Sequence, residues 1–122
     1  MNIMTRAQDF EMTAAIDRFV RSNLRTALAR IDEDIVTVDV YLKDANGPRG
    51  GVDKQVLIRV RLRNRQQFAV VTTHEDMYAA ITNGIKRTKR AVRRQIRKSR
   101  HFHKRPVREL LVKDGLALSP RS

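Results

Sequence analysis

The chain has 122 residues, no cysteine and a formal net charge of +13, and hydrophobic residues make up 41% of it. This length fits one domain with a sizeable core, and the missing cysteine excludes disulfides and thiolate metal sites. The sequence pI of about 11.3 predicts a polyanionic partner, either nucleic acid or an anionic membrane surface. The membrane is disfavoured, because no apolar run approaches the roughly 18 residues of a spanning helix. The first residues also lack the apolar segment of a signal peptide, so we expect a cytoplasmic protein.

The first part of the chain predicts a strand and then a helix. Residues 2–7 alternate in polarity over a short distance, as strands do. Thr13 is the expected N-cap of a helix that runs to about Arg30. The apolar face of this helix is formed by residues at helical spacing: Ile16, Phe19, Val20, Leu24 and Leu28. Another face carries three arginines that either extend a basic surface or are simply solvated: Arg18, Arg21 and Arg25.

Three strands with alternating polarity follow. The first covers residues 35–43 and points four residues to the core: Val36, Val38, Val40 and Leu42. The second covers residues 54–63 and contributes Val56, Ile58, Val60 and Leu62, while residues 68–73 form the third. The second strand also carries outward arginines, which either bind RNA or protect a sheet edge and pair with Asp39. These arginines are Arg59, Arg61 and Arg63.

Two segments near these strands allow a ligand-binding interpretation. Residues 31–34 contain three consecutive carboxylates, which we interpret as a helix end and turn, because no further metal ligand follows at suitable spacing. The glycine-rich residues 44–53 resemble a phosphate-binding loop, but such loops lead directly into a helix, and this one leads into a strand. We therefore predict a long hairpin loop, which is able to reach outward to a partner.

The remaining stretch, residues 75–105, predicts a long helix with one apolar stripe and one basic face. The stripe consists of Met77, Ile81, Ile85, Val92 and Ile96, with Thr88 in the one gap. Thr73 and Asp76 resemble a capping box at its start. No acidic residue lies between Asp76 and Glu109, and like-charge pairs four residues apart each cost roughly 0.2–0.5 kcal/mol in an isolated helix. A solvated surface mixes the two signs, so this face predicts a polyanionic partner.

The element order β-α-β-β-β-α predicts an α+β fold with one domain over residues 1–105. A strand, a helix and the next strand give a parallel pair with a right-handed crossover, and the short connections then give an antiparallel meander. We expect a four-stranded sheet with both helices on one face. Pro106 ends the last helix, and residues 106–122 are predicted to form a flexible tail.

Catalytic chemistry is not indicated by the sequence. The chain has three histidines, His74, His101 and His103, and the last two lie in a basic run where they add charge or stacking rather than metal ligation. No nucleophile is accompanied by a recognisable base. We therefore expect no enzyme activity, no cofactor, no metal, no small-molecule substrate, and a monomer when the protein is free.

Two segments resemble a known family. Residues 75–81, EDMYAAI, open a long basic helix after a β-meander. The N-terminal residues follow a matching pattern: Ile3, Thr13, Ala14, Ile16, Phe19 and Val20. Over about residues 2–100 the chain resembles the bacterial ribosome hibernation promoting factor and ribosome-associated inhibitor family, in the short form called ribosomal subunit interface protein. This resemblance implies a fold similar to the double-stranded-RNA-binding domain with an added first strand.

The resemblance also implies a function and a site. Members of the family bind rRNA of the small ribosomal subunit in the channel for messenger and tRNA, inhibit translation and protect idle ribosomes under stress. Carried over in register, the family's recurring basic positions fall on Arg87, Arg90, Arg94 and Lys98. Further basic residues broaden this row: Lys86, Lys89, Arg93, Arg97 and Arg100.

The sequence departs from the family pattern in three places. The glycine usual near the end of the first strand is missing, and Thr5, Arg6 and Ala7 stand there. The loop between the second and third strands is longer than in short members, and long members carry a ribosome-pairing domain where this sequence has residues 106–122. Promotion of ribosome dimers and opposition to them are therefore both open. The alternative function is a constitutive structural RNA-binding protein, such as a ribosomal component or an assembly factor.

Overall fold

A computed structural model of the protein describes residues 1–44 and 53–103, with side chains described up to residue 98. The elements are β1 (Asn2–Gln8), α1 (Ala14–Ala27), a 3₁₀ helix (Ala29–Asp34), β2 (Ile35–Asp44), β3 (Lys54–Leu62), β4 (Gln67–His74) and α2 (Met77–His103). The predicted α+β class and the order β-α-β-β-β-α are confirmed. Most of the predicted hairpin loop and the whole tail lie outside the described residues, so both stay predictions.

The four strands form one sheet in the order β1-β2-β3-β4. β1 pairs in parallel with β2, and β2 with β3 and β3 with β4 pair antiparallel. The parallel pair follows from α1, which connects β1 to β2 across one face of the sheet, and the short connection between β3 and β4 returns the chain antiparallel. The predicted parallel pair and antiparallel meander are therefore confirmed, and β1 and β4 are the edge strands.

Both helices pack on the same face of the sheet and enclose one core. The aliphatic positions predicted for β3, the apolar stripe of α2 and the inner half of α1 are buried there. Fully enclosed members include Val20, Leu24, Val38, Ile58 and Ile81. The two helices also contact each other through Phe19 of α1 and Tyr78 of α2, whose ring centroids lie 4.8 Å apart. The opposite face of the sheet carries no helix among the described residues.

Gly84 determines how closely α2 approaches the sheet. A Cβ atom at this position would lie 3.3 Å from Ile58 Cδ1, which is tighter than ordinary packing. The missing side chain therefore brings the helix backbone close to β3 and β4. One turn later, the fully buried Thr88 donates from its hydroxyl to the Gly84 carbonyl at 2.8 Å, so the polar atom in the apolar stripe is satisfied.

The start of β2 differs from the predicted alternation. The pairing register shifts between Ile35 and Thr37, which marks a bulge. As a result Ile35 is fully buried, and Val36, which was predicted to face the core, is only half-buried. The predicted end of α1 was also wrong: α1 ends at Ala27, and a 3₁₀ helix replaces both its last turn and the predicted turn at residues 31–34.

Of the two N-caps predicted from the sequence, one is confirmed and the other is wrong. Thr13 caps α1 as predicted, and its hydroxyl accepts from the Ile16 amide at 3.1 Å. The capping box that begins at Thr73 was wrong, because α2 begins at Met77 and Asp76 is the capping residue. The Asp76 carboxylate accepts from the Ala79 amide at 3.0 Å. The cap of α2 therefore lies three residues later than the motif suggested.

Candidate nucleic-acid interface

α2 is one continuous helix that carries all the residues predicted to contact rRNA. Seven of the eight are exposed, and Lys89 is half-buried. Within the part of the chain that the structure describes, none of them forms an ion pair, and the sequence contains no acidic residue between Asp76 and Glu109. The positive charge of this helix is therefore not balanced by carboxylates on the described part of the protein, which is the electrostatic requirement for a polyanion-binding surface.

The helix geometry separates these residues into two rows on opposite flanks. At 100° per residue, the four positions taken from the family pattern fall on the flank that faces β4. We call them the β4 row: Arg87, Arg90, Arg94 and Lys98. The other four fall on the flank that faces α1, where Arg93 and Arg97 line a shallow groove with Ile31. We call them the α1 row: Lys86, Lys89, Arg93 and Arg97.

Within the described part of the chain, Arg87 is the one member of its row that is hydrogen-bonded to the rest of the fold. Its Nη1 donates to the Val71 carbonyl at 2.6 Å and to the Thr72 hydroxyl at 3.2 Å. Val71 belongs to the edge strand β4, so the side chain fixes α2 to the edge of the sheet and occupies a backbone acceptor there. The exposed guanidinium still adds positive charge to the row, but part of its hydrogen-bonding capacity is used within the fold.

Arg21 has the same kind of contact at the other edge of the sheet. Its Nη1 donates to the Ile3 carbonyl of β1 at 3.0 Å, and its Nε contacts the Asp17 carboxylate at 3.1 Å. The sequence predicted that Arg21 either extends a basic surface or is solvated. The structure shows instead that this side chain joins α1 to β1. Its neighbours Arg18 and Arg25 are exposed.

Asp17 links α1 to β1 through the same network. Its carboxylate accepts from the Thr5 hydroxyl at 2.5 Å. This hydrogen bond lowers the pKa of Asp17 below its ordinary value of 3.8; desolvation opposes it, and the hydrogen bond and charge of Arg21 reinforce it. The carboxylate is therefore ionised at neutral pH and holds the helix on the edge strand.

The outward arginines of β3 lie on the open face of the sheet. β3 is an inner strand, so the proposed role of these residues in edge protection was wrong. The register places Arg59 opposite Asp39, as the cross-strand alternative requires, but the two side chains form no ion pair among the described residues, so that alternative stays a prediction. The Arg59 guanidinium carbon also lies 5.6 Å from the centroid of the Tyr41 ring. Arg63 follows the strand instead of belonging to it, and its Nε donates to the Glu33 carbonyl.

Charged side chains also meet at the base of the hairpin between β2 and β3. Lys54 Nζ lies 3.1 Å from Asp44 and 3.2 Å from the buried Asp53. Desolvation lowers the pKa of Lys54, but the hydrogen bonds to both carboxylates outweigh it and raise the pKa.

The described residues, which include the acidic 3₁₀ helix, contain no cluster of three His, Asp or Glu side chains that could hold a metal ion. No described helix is long and apolar enough to cross a membrane.

The fold and the uncompensated helix define a class of protein: a small α+β domain with one strongly basic helical face. Residues 3–100 match the family described as Sigma 54 modulation protein / S30EA ribosomal protein, and the chain belongs to this family. This match confirms the family predicted from residues 75–81 and the N-terminal pattern. It makes the chain a member of a ribosome-associated, hibernation-type family.

Solved structures of similar proteins agree with this assignment. The N-terminal domain of Protein Y from Thermus thermophilus is 28% identical with a TM-score of 0.61, and the match covers 77% of this chain and 98% of that domain. A ribosomal subunit interface protein from Coxiella burnetii has a TM-score of 0.62 at 14% identity, with 78% and 97% covered, and supports the fold alone. No curated protein sequence matches the chain.

Proposed function

We propose that this protein is a hibernation-type translation inhibitor, which binds small-subunit rRNA in the channel for messenger and tRNA and protects idle ribosomes under stress. The observation that carries the proposal is the basic surface of α2, which has no acidic partner on the described protein. Membership of a family that includes an S30EA ribosomal protein supports rRNA as this polyanion. The 28% identical relative is called Protein Y, and the second structural neighbour is called a ribosomal subunit interface protein, which fits a position between subunits.

The contacts of α2 refine which residues carry the binding. Arg90, Arg94 and Lys98 are exposed, lie on one flank and make no hydrogen bond within the described protein. Arg87 lies in the same row but is hydrogen-bonded to β4. We therefore assign the main phosphate contacts to Arg90, Arg94 and Lys98, and we assign to Arg87 a double role in docking the helix and adding charge. The α1 row gives a second line of phosphate contacts on the opposite flank.

Charge reversal on the β4 row tests this assignment. The triple variant Arg90→Glu, Arg94→Glu and Lys98→Glu is expected to lose at least about 100-fold in affinity for purified small subunits at low salt, because each lost phosphate contact also removes counterion release. Co-sedimentation with small subunits over a series of salt concentrations measures the loss. A footprint on the rRNA then shows whether the protected nucleotides line the channel for messenger and tRNA.

A matched control separates the specific surface from total charge. The variant Arg18→Glu, Arg25→Glu and Arg30→Glu makes the same charge change at exposed positions outside α2. It is expected to lose less than about tenfold in affinity, since it removes long-range attraction without removing the assigned contacts. Equal losses in the two variants would overturn the site assignment. Equal affinity of the unaltered protein for small subunits and for bulk duplex DNA would overturn the function.

Membership of a family that includes the S30EA ribosomal protein also favours a second candidate, a constitutive ribosomal component. The two functions differ in when the protein occupies ribosomes. A hibernation factor is abundant and bound in starved cells and scarce in growing cells, whereas a structural component is bound in both. Quantifying the protein on small subunits from growing and starved cultures therefore distinguishes the two candidates.

A further inference from the structure

The face of the sheet that the helices leave open carries an apolar centre. Alternation along the strands and the pairing register bring one residue from each of three strands into a transverse row: Tyr41, Leu57 and Val71. Adjacent strands lie about 4.8 Å apart, so this row spans about 10 Å. Met4 lies beside it on β1. Met4 and Val71 are 47% and 45% exposed, which is unusual for large apolar side chains on a face without a described partner.

Four cations surround this centre. Arg6 lies opposite Tyr41 at one end of the transverse row, Lys43 and Arg59 lie in the two neighbouring rows, and Arg61 lies one row beyond Arg59. Among the outward-facing positions of the described strands, Asp39 is the one carboxylate. A groove of about 380 Å³ crosses the patch, and its walls include Arg6, Tyr41 and Lys43. The open face therefore combines an aliphatic floor with a cationic rim, and we call this combination the sheet patch.

This composition differs from that of the helix surface. The basic rows of α2 contain cations without an exposed apolar centre, as suits a phosphate backbone. The sheet patch contains Met, Tyr and Arg around aliphatic side chains, and an apolar core with a polar rim is the anatomy of protein interfaces. A platform for single-stranded RNA requires several aromatic rings for base stacking. The described outward positions provide only Tyr41, and Arg59 already lies over its ring.

We propose that the sheet patch binds an acidic segment of a partner protein, whose aliphatic side chains enter the groove while its carboxylates pair with the rim. Charge complementarity selects this occupant. A second copy of the chain would bring the same cationic rim against itself, and residues 104–122 contain five basic and two acidic residues, so that segment is not acidic either. The patch lies on the opposite side of the sheet from α2, so the partner and rRNA are able to bind together.

Labelled peptides test the proposal on the full-length protein. A short peptide of alternating leucine and glutamate is compared by fluorescence anisotropy with a serine–glutamate peptide of equal length and charge. The serine–glutamate peptide measures attraction of any acidic peptide to the basic protein. The difference in affinity between the two peptides therefore measures the contribution of leucine. We expect the leucine–glutamate peptide to bind about tenfold more tightly, the usual effect of a few buried anchors. A leucine–lysine peptide is expected not to bind.

Two pairs of substitutions locate the binding. The pair Met4→Thr and Val71→Thr removes apolar surface at exposed positions and is expected to abolish the preference for leucine. The pair Arg6→Glu and Arg61→Glu reverses the charge of part of the rim. We expect it to lower the affinity for the leucine–glutamate peptide about tenfold and to allow the leucine–lysine peptide to bind. Circular dichroism and thermal unfolding confirm that each variant is folded, and the rim pair is expected to keep its affinity for small subunits within about threefold.

Several results would overturn the proposal. Equal binding of the leucine and serine peptides would show attraction by charge alone. A leucine preference that survives Met4→Thr with Val71→Thr would place the binding elsewhere. If the Met4→Thr and Val71→Thr pair loses binding to oligouridylate, the sheet patch is an RNA platform. If the same pair loses a dimer that the parent forms at high concentration, the occupant of the patch is a second copy of the chain. Tighter peptide binding in the variant Leu110→Ser with Leu111→Ser would identify the C-terminal segment as the occupant. None of these outcomes depends on whether the protein inhibits translation.

Discussion

The two sides of the sheet carry positive charge in different chemical settings. On the covered side, α2 presents cations in two rows, and none of these cations forms an ion pair with a described residue. On the open side, cations surround an aliphatic centre that includes Met4 and Val71. A cation surrounded by water and other cations recognises a polyanion through counterion release, whereas a cation beside an apolar surface supports a desolvated contact. Net charge alone therefore does not identify the partner of either surface.

Salt dependence is expected to separate the two surfaces most clearly. Between low and moderate ionic strength, affinity for small subunits should fall by about 10³, because several phosphate contacts each release counterions. The leucine–glutamate peptide should lose about tenfold or less over the same range, because apolar burial is not screened. Parallel salt titrations with both ligands provide the measurement. Similar slopes would mean that the two surfaces bind by the same mechanism.

Substitution of Arg87 should sharpen the comparison within the β4 row. Arg87→Met is expected to lower the free energy of unfolding by about 1 kcal/mol, because the hydrogen bonds to Val71 and Thr72 are lost. Arg90→Met removes the same charge from an exposed, unbonded position and is expected to leave stability nearly unchanged. Denaturant titration of both variants measures the difference. Equal stability would contradict the docking role of Arg87.

The smallest expected effect concerns the attachment of the helical layer to β1. Because the pKa of Asp17 is lowered in the folded state, its contribution to stability is present above the unfolded value near 3.8 and is lost as pH falls through the lower folded value. Asp17→Asn should therefore lower stability by less than about 1 kcal/mol at neutral pH, since the pair is partly exposed. The stability curves of variant and parent should converge well below pH 3.8, as measured by denaturant titration at each pH. A constant difference across this range would show that ionisation of Asp17 has no part in the contact.

The local pattern of the sequence predicted most of the fold correctly. Residues such as Val56 and Val60 alternate because a strand points successive side chains to opposite faces, and the stripe from Met77 to Ile96 repeats with the helix. The errors occur where local pattern does not decide the outcome. The bulge beside Ile35 depends on pairing with β3, and the cap at Asp76 depends on where β4 ends. Both depend on contacts between elements.

The basic face of α2 was determined by the sequence alone, because helical periodicity and the absence of carboxylates are local properties. Only the tertiary structure showed that Arg87 and Arg21 are bonded to backbone carbonyls of the two edge strands. It also decided that Met4, Tyr41 and Val71 share one patch. The physical reason is that such contacts join residues far apart in the chain, and strand order and register are fixed by packing of the whole sheet rather than by any one segment.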